Sequence, residues 1–409
     1  MKILFDFLSL YQKNGAAEYV RRVFYTLMDR IEADNRTVVS VTCLYDSIHM
    51  PAYTELRPDV FKHNSVDFID IQVGIDNINA KGFDLFFFGC AQNGGWCPQI
   101  AEITCKSISV FHDCVWEELY QNNINLWLTL DDDLFHYRST TPLGKKAYWN
   151  IKGPTMRFCR WLLHARQYGV LEKGNDMVQP TLKLFRKRPD NEIVTVSNYS
   201  RASIMYNFHI PEERIHVWFS PERLYVEDAA AGDIMNDRLK EVVSNKLKYY
   251  LVVSANRANK NARKALASFR QFALLQPDKY VLTIGYGKEL FQNHIDLPFL
   301  CDMDLKTAYQ NCYALLYPSL FEGFGYPPLE AMKYGKPVLV SNVCSMPEVL
   351  ADAPIYFSPF YESAIFNGLL KLTDENYNEY SQRSLKRYQE VHEKQECDLK
   401  ELVEKILSI

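Results

Sequence analysis

The sequence predicts an α/β protein of two doubly wound domains facing a central cleft. Three observations predict it. Short β-rich apolar runs alternate with longer runs at helical spacing, the pattern of parallel strands covered on both faces. That alternation passes along the chain twice, with a polar, small-residue stretch between the passes. The 409 residues, at roughly 100–200 per domain, leave room for two domains or three.

In the first pass, strands are expected at residues 2–7, 37–44, 83–88, 107–111 and 193–197, with a helix at 16–31. In the second pass, strands are expected at 249–254, 280–284, 313–317, 337–341 and 355–357, separated by helices at 261–275, 305–311, 327–334 and 346–350. Residues 378–409 are charged and helical, with Leu399, Leu402, Val403 and Ile406 on one face. The seam falls within 221–248, where Glu227 to Gly232 is polar and small. The expected domains are 1–220 and 221–390, with 391–409 a terminal helix that packs back toward the first domain.

Composition excludes several classes. Hydrophobic residues are 47% and charged residues 23%, ordinary for a chain with sizeable cores. A net charge of -4 speaks against a dedicated nucleic-acid binder. No apolar stretch reaches the roughly 18 residues of a membrane-spanning helix. The first residues, Met1 to Phe7, are too short and too acidic a run for a signal-peptide core and read as a buried strand. The ten cysteines contain no C-x-x-C pair, and most lie in apolar runs, so free thiols and a cytoplasmic location are expected.

Residues 115–190 depart from the alternation. Over 143–190 there are eleven Lys/Arg against three Asp/Glu. Phe158, Trp161, Leu162 and Ala165 share one helical face, while Arg157, Arg160 and His164 share another. Two readings stand: the apolar face packs on the sheet and the basic face is solvated, or this helix and the basic cluster at Lys183–Arg188 dock on an anionic membrane surface.

The most informative stretch runs from Pro318 to Glu330. Gly323 and Gly325 permit close approach of backbone to a ligand, Pro327 and Pro328 suit the first helical positions, and Gly335 suits the residue past the end. The helix start offers N–H groups to an anion such as a diphosphate. Glu322 and Glu330 flank the loop eight positions apart, and a carboxylate accepts paired hydrogen bonds from vicinal hydroxyls. A first-turn Glu alone means only about 0.3–1 kcal/mol of dipole complementarity. The two carboxylates, two glycines and two prolines together favour a ligand.

This stretch resembles the family 4 glycosyltransferases, retaining enzymes with two Rossmann-like domains in the GT-B arrangement. Their signature is two Glu separated by seven residues around Gly-Phe-Gly, here Glu322 to Glu330, and the resemblance continues through Gly335-Lys336-Pro337-Val338 and Ser345-Met346-Pro347-Glu348. It implies that Glu330 holds the ribose hydroxyls, that Glu322 contacts the donor sugar, and that backbone at Gly323, Phe324 and Gly325 approaches sugar and diphosphate. After the first strand of the second domain, Lys260-Asn261 aligns with the family's diphosphate-gripping Lys. Many members have Gly-Arg where Ser254-Ala255 stands here, and Arg257 takes that cationic role from a shifted position. In the first domain, Ile108 to Asp113 resembles the family strand ending in His-Asp, which implies that His112 sits near the anomeric carbon. Asn14-Gly15 resembles the glycine turn before the first helix, on the acceptor side. Val194 to Ser200 resembles a strand-to-helix crossing, with Ser200 as the expected helix cap.

Asp302-Met303-Asp304 and Asp131-Asp132-Asp133 spell a metal-binding pattern of another glycosyltransferase fold. Asp304 reads instead as a helix N-cap, and the triplet lies in a polar stretch. Gly285-Tyr286-Gly287 lacks the third glycine of a dinucleotide fingerprint. The expectation is therefore a retaining, metal-independent glycosyltransferase of cell-surface polysaccharide synthesis. It needs no cofactor, takes a nucleotide sugar as co-substrate and a glycan or lipid-linked acceptor, and lies in the cytoplasm or peripherally at the membrane's cytoplasmic face. The rivals are a nucleotide-sugar epimerase of the same fold and a non-catalytic nucleotide-sugar-binding scaffold.

Overall fold

The computed structural model describes residues 1–11, 14–34, 39–48, 66–121, 170–223 and 234–408. The basic helix around Phe158 and Trp161, the Asp131–Asp133 triplet and the 227–232 connection lie outside them. The described residues form two compact units: one of residues up to 223 together with 394–408, the other of 234–393.

The first unit holds a parallel sheet of β1 (Lys2–Asp6), β2 (Ser40–Tyr45), β3 (Val66–Asp70), β4 (Leu85–Phe88), β5 (Lys106–Phe111), β6 (Glu192–Thr195) and β7 (Ile215–Val217), in the order β3-β2-β1-β4-β5-β6-β7. In the second unit, β8 (Lys248–Val252), β9 (Lys279–Ile284), β10 (His294–Leu297), β11 (Ala314–Tyr317), β12 (Val338–Ser341) and β13 (Ile355–Phe357) pair in parallel in the order β10-β9-β8-β11-β12-β13. Both are doubly wound sheets of the GT-B fold, and in each the order reverses once, between β1 and β4 and between β8 and β11. Ligands of such sheets bind beyond the carboxyl ends of the strands at that reversal.

Apolar packing explains both units. Phe5 stacks on Phe87 at 4.9 Å and meets Phe24 edge-on at 5.3 Å, so β1 and β4 bury one helix face of Gly15–Ala33. In the second unit Tyr250 meets Phe269 and Phe272 of the helix Ala262–Leu275. Each fully buried ring contributes roughly 1.5–3 kcal/mol.

The last helix, Tyr377–Leu407, runs from the second unit into the first. Leu399, Leu402, Val403 and Ile406 are all buried. Beside them Asp398 accepts from the Phe219 N–H at 2.7 Å, Glu401 from Trp218 Nε1 at 3.0 Å, and Lys405 pairs with Glu192 at 2.9 Å.

Three expectations are corrected. Ser200 is the third residue of the helix Asn198–Phe208, and the cap is Ser197, whose extended backbone lets its Oγ accept from the Ser200 N–H at 3.1 Å. Asp304 lies inside the helix Asp302–Asn311, which starts earlier than expected because Cys301 is the extended residue; its carboxylate accepts the Met235 and Asn236 N–H groups, each at 2.9 Å. Glu330 is the fifth residue of the helix Tyr326–Lys333, one position past the first turn. The nine described cysteines are free thiols, and no helix of the described residues is long and apolar enough to cross a membrane.

Candidate active site

In the second unit the site grows from the carboxyl ends of β8 and β11. Two residues past the end of β8, Ser254 adopts φ 52°, the left-handed region that glycine tolerates best. This explains the glycine commonly found there in the resembling family. A short turn, Ala258–Lys260, then brings Lys260 inward, and Asn261 also takes a left-handed φ of 54°. Asn suits that conformation, and its side chain donates to the carbonyls of Pro318 (3.3 Å) and Pro359 (2.9 Å). The turn after β8 is thereby tied to the loop after β11.

At the end of β11 three donors converge on one oxygen. Glu322 Oε1 receives Lys260 Nζ at 2.5 Å, Tyr317 Oη at 2.6 Å and Ser319 Oγ at 2.5 Å. Lys260 Nζ also donates to Tyr317 Oη at 2.6 Å. The Lys260 and Glu322 side chains are 10% and 11% exposed, so water screens the pair weakly. Burial first, then the Glu322 charge and hydrogen bond, then the Glu330 charge, hold the Tyr317 phenol well above its ordinary value, against the opposing pull of Arg257. Lys260, Glu322, Glu330 and Arg257 thus all act on one phenol. Arg257 is itself solvent-exposed.

The loop between the two carboxylates is braced. Ser345 Oγ donates to the Glu322 carbonyl at 2.9 Å, and Ser341 Oγ to that of Ser319. Gly323 and Phe324 are buried, and the Phe324 ring meets Tyr326 edge-on at 5.8 Å. Gly325 caps the helix at φ 97°, and a Cβ there would lie 2.3 Å from Met346 Cε. The positive φ is what favours glycine here, since the flexible Met346 end could move aside. Pro327 and Pro328 occupy the second and third helical positions, and Gly335 ends the helix at φ 65°.

In the first unit His112 follows β5. Its Nε2 lies 2.9 Å from the Gly89 carbonyl, so Nε2 carries the proton and Nδ1 is left as the acceptor. Burial lowers its pKa to about 4, so the ring is neutral, and Tyr19 packs edge-on against it at 5.0 Å. Gly89 is fixed in turn: its N–H donates to the buried Asp6 carboxylate at 3.0 Å, and a Cβ would meet Val20 Cγ2 at 2.2 Å. Ser9 Oγ also donates to Asp6, and Asn93 Nδ2 to Ser9 Oγ at 3.0 Å. Desolvation raises Asp6 to about 6, against its hydrogen bonds. Asn14 caps the helix Gly15–Ala33, accepting the Ala17 N–H at 3.1 Å, and Gly15 is the first helical residue.

Sequence reasoning did not single out Tyr317, Ser319 or Asp6. Tyr317 closes an apolar run and reads as core, and its partner Lys260 lies 57 positions away. The available signal was its place as the last residue of a strand beside the order reversal. Of the basic cluster proposed for a membrane surface, Lys183 and Lys187 both pair with Glu102, Arg188 pairs with Asp190, and Arg186 donates to the Phe208 carbonyl. Among the described residues no group of three or more His, Cys, Asp or Glu is arranged to hold a metal ion.

Residues 233–388, which lie almost wholly in the second unit, match the family model for glycosyl transferases group 1. Among curated proteins, the chain is similar to the O-antigen chain mannosyltransferase RfbU of Salmonella typhimurium, 32% identical over 204 residues, 46% of this chain and 53% of that protein. The O-antigen chain mannosyltransferase B of Escherichia coli is 29% identical over 209 residues, with the same shares covered. The matches thus span about half the length of these relatives. Among solved structures, Anabaena HepE in complex with UDP and glucose aligns over 100% of both chains with a TM-score of 0.59 at 14% identity. WaaG, a glycosyltransferase involved in lipopolysaccharide biosynthesis, aligns over 97% of this chain and 98% of its own with a TM-score of 0.53 at 14% identity. At such identities these two likenesses speak for the fold.

Proposed function

We propose that this chain is a retaining, metal-independent glycosyltransferase that moves a sugar from a nucleoside diphosphate to a glycan or lipid-linked acceptor in cell-surface polysaccharide synthesis. The observation that carries the reading is the convergence of Lys260, Tyr317 and Ser319 on Glu322, with Glu330 and Arg257 acting on the same phenol. Two cations and two carboxylates beside a strand-order reversal support the reading, because a nucleoside diphosphate and its sugar need both. The names of the curated relatives make a mannosyl nucleotide the first donor to try.

In the proposed reaction the acceptor hydroxyl oxygen bonds to the anomeric carbon on the face from which the diphosphate leaves. The carbon–oxygen bond to the diphosphate breaks, and the acceptor proton passes to the departing phosphate oxygen. Lys260 and Arg257 meet the charge that accumulates on that leaving group. Glu330 holds the ribose hydroxyls and Glu322 the donor sugar. The family resemblance assigns His112 to the sugar, and as a neutral ring with a free Nδ1 it serves as a hydrogen-bond acceptor. Peripheral attachment at the cytoplasmic face of the membrane is proposed on the sequence of Arg157 and Arg160 alone, since Lys183, Lys187 and Arg188 are already paired.

A thermal-shift screen of nucleoside-diphosphate sugars identifies the donor, because a ligand of the folded state raises stability. Transfer with that donor should give a product of retained anomeric configuration. Glu330→Ala should weaken donor binding about ten- to a hundredfold, while Glu322→Gln lowers turnover more than binding. Inverted product refutes the retaining reading, and turnover of donor alone with a changed sugar favours an epimerase. No shift with any nucleotide sugar refutes the donor site.

A further inference from the structure

Tyr317 joins the two charged groups of the second unit's site. Its single hydroxyl hydrogen is directed to Glu322 Oε1 at 2.6 Å, and its lone pair takes a hydrogen of Lys260 Nζ at 2.6 Å. The ring is fully buried at the end of β11, a strand paired on both sides by β8 and β12. Lys260 lies 4.9 Å from the ring centroid. The phenol is therefore a strand-anchored support between two longer charged side chains.

The arrangement poses a problem of allocation. The Lys260 ammonium is directed to Glu322 and Tyr317. In the reading above that ammonium must serve a diphosphate, and when it turns away Glu322 Oε1 loses one of its three donors. Ser319 Oγ and Tyr317 Oη remain, and of these only the phenol is anchored on a central strand. We propose that Tyr317 is a positioning residue whose hydroxyl keeps the Glu322 carboxylate aimed at the donor sugar while Lys260 engages the diphosphate. The proposal rests on the donor-site reading, in which Glu322 faces that sugar.

Tyr317→Phe keeps the ring and deletes the hydroxyl. With the donor from the nucleotide-sugar screen, kcat should fall about tenfold or more while donor KM stays within about threefold, because a misaimed group is lost chiefly in the transition state. A hydroxyl that only satisfied buried polar groups would lower melting temperature without that split. Tyr317→Phe added to Glu322→Gln should cause no further loss of kcat, since the phenol acts through the carboxylate. Ser319→Ala, which leaves Glu322 to the phenol, should lower kcat by less than about tenfold, and this variant tests the proposal even where Tyr317→Phe does not fold. A kcat for Tyr317→Phe near wild type, independent losses in the double variant, or a tenfold loss in Ser319→Ala overturns the proposal alone. Wild-type turnover in Glu322→Gln removes the donor-site reading and the proposal together.

Discussion

Lys260→Met replaces an ammonium by an apolar chain of similar reach. In the wild type the ammonium lies 2.5 Å from Glu322 Oε1, with both side chains about nine-tenths buried. Removing one partner of a buried pair costs about 3–5 kcal/mol, because the other charge is stranded away from water. Here the stranded carboxylate keeps two hydroxyl donors, Tyr317 and Ser319, which places the loss near the low end, about 3 kcal/mol. The second unit spans residues 234–393, and for a unit of that size 1 kcal/mol moves the melting temperature by about 2–4 °C. A fall of about 6–12 °C is expected by calorimetry. Glu322→Gln should lose at least as much, since it leaves the ammonium with the phenol. The double variant Lys260→Met, Glu322→Gln should lose less than the sum of the two, because neither charge is then stranded. A melting temperature for Lys260→Met within about 2 °C of wild type, or additive losses in the double variant, would refute the reasoning.

Asp6→Asn should shift the pH dependence of stability in the first unit. The folded pKa of Asp6 is raised from 3.8 to about 6, so its contribution is complete below about 3.8 and lost as pH rises to about 6. The stability of the variant relative to wild type should therefore improve across that window when measured by denaturant titration at successive pH values; a flat difference counts against a titrating Asp6. Ser254→Gly should stabilise the second unit by about 0.5–1 kcal/mol, relief of the left-handed backbone outweighing the added freedom of the unfolded chain; a destabilised variant contradicts the strain. Transfer should survive exhaustive chelation, since in the proposed reaction Lys260 and Arg257 supply the charge that meets the diphosphate; loss with EDTA, restored by Mg²⁺ or Mn²⁺, would reject this.

The sheets were legible in proportion to their burial. Every expected strand exists, and those inside the sheets announced themselves as continuous apolar runs such as Leu85–Phe88 and Ala314–Tyr317, buried at every position. The missed strands β3, β7 and β10 all lie at sheet edges, where one side of the ladder is open and the run is broken by polar residues: Asp67 and Asp70 in β3, His216 in β7, His294 and Asp296 in β10. His294 is polar yet buried because Thr283 of the neighbouring strand lies 2.8 Å from its Nε2, a pairing that no local pattern encodes. The candidate site shows the same division. Glu322, Gly325 and Glu330 are close in sequence, so their spacing was visible. Tyr317 and Asp6 matter through partners 57 and 83 positions away, and alone they read as the ends of buried strands.

The two order reversals place comparable groups under different conditions. At each, a buried carboxylate accepts hydroxyl hydrogen bonds: Asp6 from Ser9 at the β1–β4 reversal, Glu322 from Ser319 and Tyr317 at the β8–β11 reversal. Asp6 draws its other hydrogen bonds from the backbone N–H groups of Ser9 and Gly89, and burial pushes it toward the neutral form. A carboxyl bound this way suits a fixed task, holding Gly89 so that its carbonyl can receive His112. Glu322 is matched instead by the side-chain cation of Lys260. Backbone N–H groups stay with their acceptor as long as the fold lasts, whereas a lysine on four rotatable carbons can change partners. In the proposed reaction the exchangeable partner stands where the anionic donor arrives, and the fixed partners hold Gly89, whose carbonyl receives the His112 ring.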